Sequence, residues 1–432
     1  MSVDVPVRPA PAWRRAVGAG STTPGRLRRV TAVLVVGCLA SALVGVPAGL
    51  ERTSSVQEAR TRISALTADS AELYRSLADA DAMATSGYVS GGREPTAVRA
   101  RYDDDVARAT DRLVAAAGKL PDGGPVATIA AQLPVYTGLV ETARTLNRDG
   151  LPLGQAYLGS ASELMRTTIL PAADELHRTQ AAELDAAHGR GGAVPFAVLL
   201  LLVATLAGIV DVSLRERRRT HRTVSVGLVA GAVALLAALT WWVAATTAAD
   251  GRLDAAQGHG AAAIALDDAR TAVLQARSSE SLTLVARSAG FASDDDFTNQ
   301  IVRVVGPDGT SGLLAGADGG APGAADRLAA ITTAVGDWVT AHRRVRELDD
   351  GGRYPEAVAS VVTTAPGGSG AAFERLDAAL ADAIRAERAG FDGAADAAAG
   401  ALTGLTAGTA LLALLAAAAV AAGLGRRIGE YR

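Results

Sequence analysis

Four apolar segments, each close to 20 residues long, cut this chain into alternating hydrophobic and polar stretches. The segments are 30–50, 193–214, 223–245 and 401–424. Each is long enough to cross a bilayer as a helix. In lipid the backbone has no water to bond with, and a single apolar run satisfies its own amides only as a helix. Two polar blocks, 51–192 and 246–400, lie between the segments. The order is therefore span, block, span, short turn, span, block, span.

Charge sorts these pieces. The tail 1–29, the turn 215–222 and the end 425–432, counted with Asp211 just ahead of the turn, carry a balance of +10, almost all of it arginine. The two blocks carry −4 and −9, which leaves the chain at −3. Arginine retained beside spans marks the cytoplasmic side. The pattern predicts a multi-pass protein of the cell membrane with both termini and the turn inside and both blocks outside. Trp241 and Trp242, near the outer end of the third segment, read as interfacial anchors.

Val35-Val36-Gly37-Cys38 resembles a lipobox, which would make the first segment a cleaved signal. A lipidated cysteine is usually followed by polar linker, whereas residues 39–50 stay apolar, so the segment reads as a retained span. Cys38 is the only cysteine, so no intrachain disulfide staples either block. Arginine replaces lysine everywhere except Lys119, and alanine and glycine abound. That bias points to a GC-rich, actinobacterial genome and carries no function.

Both blocks read as all-α. Ile63, Leu66, Ser70, Leu73, Leu77, Ala80 and Ala84 advance in alternating steps of three and four, the seam of a helix packed along others. A second helix is predicted over 96–119, with Val98, Tyr102, Val106, Ala109 and Leu113 on one face. A third follows over 126–148, bent at Pro134, and a fourth runs through Leu158, Leu164 and Leu176 to Leu184, interrupted at Pro171. Four antiparallel helices return the chain to its starting side, so an up-down bundle is the economical arrangement. The second block repeats the plan. Ala265-Leu266 and Val273-Leu274 stand where Ala65-Leu66 and Leu73-Tyr74 stood, and Asp349-Asp350-Gly351-Gly352 echoes Asn147-Arg148-Asp149-Gly150. Phe373, Leu376, Leu380, Ile384 and Phe391 form the apolar face of its last helix. Between these, 294–305 reads as a short helix at best, and 306–309 and 312–323 as glycine-rich loop.

No catalytic, cofactor or metal site is predicted, and no nucleic-acid partner. His177, His188, His221, His259 and His342 are scattered without a ligand pair on one helical turn. His188 and His259, just outside the membrane, read as solvated helix-end residues. The run Gly258-His259-Gly260 mimics part of a dinucleotide fingerprint but follows no strand. Asp211 is the one ionisable residue well inside a segment, and it sits near the cytoplasmic end, which argues against a carrier. Gly227, Ala230, Gly231 and Ala234 are read as close-approach residues between helices. The acidic runs 103–105 and 294–296 read as a helix surface and a helix cap. Arg215, Arg217, Arg218, Arg219 and Arg222 serve either as topology signal alone or also as a contact for a cytosolic partner or anionic lipid. Arg75, Tyr88, Arg93, Arg99, Arg101, Arg277 and Arg287 are possible contacts for an acidic ligand or a protein, undistinguished from ordinary surface residues.

Span, helical bundle, span is the plan of bacterial sensor receptors of the chemoreceptor type. The stretches 150–158 and 351–358, with Ala161-Ser162-Glu163-Leu164-Met165 and Ile169-Leu170-Pro171-Ala172-Ala173, resemble the junction before the last helix of such four-helix-bundle sensor domains. No linker module, methylation helix, kinase or cyclase appears in these residues. Taken whole, the chain resembles the four-span actinobacterial membrane proteins (GlnX-type) that partner a glutamine-binding lipoprotein and protein kinase G. That resemblance implies a non-enzymatic transducer, relaying amino-acid availability from a solute-binding lipoprotein outside to a Ser/Thr protein kinase inside. With two sensor units in one chain, it further implies a pseudo-dimer. The alternative expectation is a non-signalling envelope scaffold or assembly protein.

The charge pattern gives a direct test of orientation. Alkaline phosphatase, which needs its disulfides, should be active when fused after Gly150 or Gly352 and inactive when fused after Arg218. Activity scored in colonies on a chromogenic substrate reads the result.

Overall fold

The computed structural model describes residues 23–58, 64–92, 94–119, 124–191, 196–220, 225–286, 291–363 and 365–429. Among them the fold is all-α, with no strand. The helices are α1 (Thr23–Glu58), α2 (Ser64–Val89), α3 (Thr96–Lys119), α4 (Gly124–Arg148), α5 (Leu153–Leu164), α6 (Leu170–Gly191), α7 (Phe196–Thr220), α8 (Val226–Ala286), α9 (Phe291–Val305), α10 (Ala324–Asp350), α11 (Tyr354–Val362), α12 (Ser369–Ala401) and α13 (Leu405–Gly429). Four helical stretches, Gly25–Ser54, Phe196–Arg215, Val226–Ala286 and Ser369–Arg426, are long and apolar enough to cross a membrane. The protein is a multi-pass helical membrane protein. It divides into a membrane unit (Met1–Gln57, Arg190–Gly251, Ala397–Arg432) and a polar unit (Glu58–Gly189, Arg252–Asp396).

Small residues set the packing of the membrane unit. Gly37 of α1 lies against Thr205 of α7, and Gly45 and Gly49 lie against Thr409 and Thr406 of α13. Thr205 and Thr409 spend their hydroxyls on their own helices, bonding Leu201 O at 2.8 Å and Leu405 O at 2.6 Å. Thr409 thus presents its methyl to Gly45, while Thr205 meets Gly37 with hydroxyl and methyl alike, and neither hydroxyl is stranded. The closest approach joins α8 and α13, where a Cβ on Gly227 would collide with the Ala419 carbonyl and the Gly423 backbone. Gly231 is buried against Val420, whereas Ala230, read as part of the same seam, is exposed. Trp242 is fully buried and so is no interfacial anchor, because a residue one position along a helix points about 100° away. Trp241 is partly exposed and covers Gly408. Arg52 of α1, 5% exposed, is paired with Asp250 of α8.

In the polar unit the heptad seam of α2 is buried as its spacing requires. Ser70, Leu73, Leu77, Ala80 and Ala84 are all inside, while Ile63 and the side chain of Leu66 fall outside the described residues. Tyr102, Ala109 and Leu113 line the inner face of α3. The fourth helix of the first block is broken where Pro171 removes a backbone donor. The chain widens there into a π-helical turn, Met165–Ile169, and the Leu170 amide reaches back to Met165 O. In the second block, the segment around 294–305 forms a full helix, α9, rather than a marginal one, because Phe297, Ile301 and Val304 share a buried face. The loop after it holds a 3-10 turn, Leu313–Gly316.

The two blocks, read from sequence as consecutive bundles, are not separately cored. One apolar cluster takes Leu73, Leu77, Tyr136 and Met165 from the first together with Leu266, Val273, Trp338 and Phe373 from the second. One backbone feature recurs in both blocks. After α4, Gly150 adopts φ 70° and the Leu151 amide bonds Leu146 O at 2.9 Å. After α10, Gly352 adopts φ 74° and the Arg353 amide bonds Leu348 O at 2.8 Å. Both are left-handed helix caps closed by the same six-to-one hydrogen bond, and only glycine enters that conformation without strain.

The α8–α13 contact yields a stability test. Gly227→Leu should destabilise the membrane unit by at least the ~1–3 kcal/mol typical of overpacking. Ala230→Leu, on the exposed face, should leave the melting temperature in detergent unchanged.

Candidate functional site

Each half of the polar unit carries on its first helix a deeply buried carboxylate, Asp81 or Glu280, whose partners come largely from its third and fourth helices. On α2, Asp81 accepts from Ser162 Oγ at 2.9 Å, from Tyr136 OH at 3.4 Å and, across the blocks, from Ser278 Oγ of α8 at 2.6 Å. On α8, Glu280 meets His342 Nδ1 at 3.0 Å, Ser369 Oγ at 2.5 Å and Arg277 Nη1 at 2.7 Å. Trp338 Nε1 donates to Ser369 Oγ at 3.0 Å, and the other ring nitrogen of His342 faces Asp294 at 3.0 Å. Imidazole and Phe297 stack with centroids 3.7 Å apart.

The two carboxyls are tuned oppositely. Burial dominates at Asp81 and pushes it up, because its donors are mostly neutral hydroxyls. Burial also works to raise Glu280, but the His342 hydrogen bond and the Arg277 charge outweigh it and hold the group at about 2. Beyond Asp81, Ser86 and Ser281 meet at 3.1 Å, so α2 and α8 advance in step along one seam.

An ionic network closes the same junction from its rim. Arg101 of α3 reaches Asp79 at 3.0 Å, Glu374 at 3.1 Å and Asp377 at 3.2 Å. Arg270 of α8 grips Asp377 through two bonds of 2.6 and 2.9 Å, and Arg388 bonds Asp267 at 2.7 Å. Burial pushes Asp377 up, but Arg270 and Arg101 bring it below the usual carboxylate range. Arg166 adds a bond to Asp296 of α9 at 2.6 Å.

At the C-terminal end of α2 a cleft of about 660 Å³ opens between α2, the start of α3 and the end of α4. Its charged residues form an alternating chain. Glu94 accepts from Arg144 at 2.9 Å, Arg144 donates to Glu141 at 2.7 Å, Glu141 accepts from Arg99 at 3.1 Å, and Arg99 donates to Asp103 at 3.0 Å. Arg144 is 6% exposed, and its guanidinium lies 4.1 Å from the Tyr102 ring centroid. Tyr88, Asn147 and Arg148 complete the wall.

The residues singled out from sequence are thus scattered. Arg99 and Tyr88 reach the cleft, Arg101 lies in the junction between blocks, Arg277 pairs with Glu280 and the Val361 carbonyl inside the second block, and Arg75 pairs locally with Glu72. Arg93 and Arg287 lie outside the described residues. Arg215 pairs with Asp211 at 2.8 Å, Arg217 and Arg218 are exposed, and Arg222 and the side chain of Arg219 lie outside the described residues.

The acidic runs are helix surface and helix start only in part: Asp103 and Asp104 are exposed on α3 and Asp294 lies in the first turn of α9. Asp105 is fully buried beside Arg108, and Asp294 and Asp296 are partners of His342 and Arg166. His259 is not solvated. Its ring is largely covered and bonds Glu387 at 2.7 Å. His188 and His221 cannot be placed, since the side chain of the first and all of the second lie outside the described residues. No cluster of three potential metal ligands occurs among the described residues. Asp81, Glu280 and Arg144 were missed by sequence reasoning. The available signal was an acidic residue one step off an apolar seam in an alanine-rich run.

Residues 55–189 match the family model of the actinobacterial sensor domain, about a third of the chain. That region takes in α2 to α6, the half that holds Asp81 and the cleft. No curated protein and no solved structure matches the chain. The chain is thus a multi-pass helical protein in which residues 55–189 of the polar unit are similar to the actinobacterial sensor domain.

Asp105 provides a pH test. Burial and the neighbouring Asp79 raise it to about 7, against 3.8 for a free aspartate. The unfolded chain ionises first, so this group lowers stability as pH rises from about 4 to about 7. Asp105→Asn should therefore melt several degrees higher than wild type at pH 8, at ~2–4 °C per kcal/mol, with no difference at pH 3.5.

Proposed function

We propose that the protein is a non-enzymatic transducer. It carries a signal received by the polar unit outside the cell to a partner on the cytoplasmic side. The observation that carries this reading is the continuity of α8, one helix from Val226 to Ala286. It bears Arg270, Arg277, Ser278 and Glu280, and it is also one of the four apolar spans. In this reading a shift of α8 against α2 along their hydrogen-bonded seam passes along the same helix. The sensor-domain match over 55–189 supports sensing as the input.

By the family resemblance, the input is amino-acid availability delivered by a solute-binding lipoprotein, and the receiver is a Ser/Thr kinase. The exposed Arg217 and Arg218, with Arg215, Arg219 and Arg222, are the proposed contact for that kinase or for anionic lipid. The shared core of the two blocks supports a pseudo-dimer within one chain, because neither half buries its seam alone.

Affinity purification from native membranes tests the reading. A binding lipoprotein and a Ser/Thr kinase should be recovered together, with kinase recovery falling severalfold in Arg217→Gln/Arg218→Gln. Recovery of cell-wall enzymes without a kinase would instead favour the scaffold. Gln257→Pro, which breaks a helix interior at a cost of about 3 kcal/mol or more, should abolish kinase regulation while leaving the protein in the membrane. Regulation that survives this change refutes conduction through α8.

A further inference from the structure

We propose that Asp79 of α2 and Asp105 of α3 form a proton-binding site: a pair of buried carboxyls that takes up one proton and, by holding or losing it, tightens or loosens α3 at the junction between the blocks. The inference goes beyond the transducer reading, since it concerns the polar unit alone and needs no partner.

Helix register brings the two groups together. Arg101 reaches Asp79 at 3.0 Å and Arg108 reaches Glu72 at 3.7 Å, so an advance of seven residues on α3 matches a retreat of seven on α2. The two helices are therefore antiparallel. Asp105, four residues past Arg101, comes level with Arg75 and Ser76, about one turn from Asp79 on the same face of α2. Asp79 is 3% exposed, and Ser76 and Asp105 are sealed completely. Each keeps one oxygen without a hydrogen-bond partner: Asp79 Oδ1, Ser76 Oγ and Asp105 Oδ2. The other carboxylate oxygens are taken, Asp79 Oδ2 by Arg101 and Asp105 Oδ1 by Arg108. Ionised carboxylates only accept hydrogen bonds, so two such neighbours leave their free oxygens unanswered. One proton turns one of them into a donor and removes the like-charge repulsion.

The surrounding charges leave room for that proton. Toward the pair, α2 presents Glu72 and Arg75, and α3 presents Arg101 and Arg108. Through Arg101 the pair also meets Glu374 and Asp377 of α12, and Arg270 of α8 holds Asp377. With Asp79 and Asp105 both ionised, five carboxylates face four guanidiniums, and one proton restores the balance. Burial and the charge of Asp79 accordingly raise Asp105 to about 7. An unfolded aspartate ionises near 3.8, so the folded pair keeps its proton between about pH 4 and about pH 7 and loses it above. The repulsion that follows acts between α2 and α3. It falls on Arg101, whose bonds to Glu374 and Asp377 tie α3 to the second block. Acid closes this junction and alkali loosens it.

Infrared difference spectroscopy on the full chain in nanodiscs reads the proton. Wild type minus Asp105→Asn should show a protonated-carboxyl band that disappears with a midpoint near pH 7. Asp79→Asn, which removes the like charge, should move that midpoint down by at least ~1 unit, tenfold in proton affinity. Hydrogen exchange in α3, corrected for the intrinsic rate, should be severalfold faster at pH 8 than at pH 6, and the difference should vanish in Asp105→Asn. Absence of a titrating band, or a midpoint that Asp79→Asn leaves in place, overturns the site. A titration with no change in α3 exchange overturns its hold on the junction.

Discussion

Helices α2 and α8 lie side by side with their polar groups bonded to each other, and the polar unit depends on that seam. Asp81 meets Ser278, and Ser86 meets Ser281, within an apolar cluster drawn from both blocks. Buried hydroxyls and carboxyls must find partners, and these find them across the junction. Because a one-residue slip would strand every one of them, the polar contacts fix the register that the alanine-rich surfaces alone leave loose. The arginine network at the rim adds a second constraint, with Arg101 alone holding three carboxylates from two elements.

The membrane unit achieves contact by a different route. Lipid offers no hydrophobic drive between helices, so close approach of small residues supplies the packing. Gly227 against Gly423 and Gly37 against Thr205 do this work, and threonine hydroxyls turn inward to their own helices. The same chain thus uses glycine seams in one unit and hydrogen-bonded carboxylates in the other. Alpha-helix α8 takes part in both.

The opposite tuning of Asp81 and Glu280 follows from which partners each half kept. The first half surrounds its carboxyl with Ser162, Tyr136 and Ser278, which solvate it without neutralising it. The second half supplies Arg277 and His342, which stabilise the charge. The first helices of the two blocks therefore carry carboxyls of unequal electrostatics at neighbouring positions of their common register, since Asp81 aligns with Ser281 and Glu280 with Ala80. The two halves share a plan but not a response to protons.

Much of this was legible in the sequence. Helix periods located α2, α3 and α4 to within about two residues, since apolar spacing and the Gly150 cap are local features. The glycine cap at 351–352 was legible for the same reason. What the sequence left open was every contact between distant segments. Nothing local separates Arg144 from Arg148, or marks Asp81 as buried and Asp104 as exposed, because burial is set by which helices pack together. The one-dimensional chain determined its spans and its helices. The tertiary structure alone decided that both blocks share one core, that Trp242 turns inward, and that five scattered charges line up along one cleft.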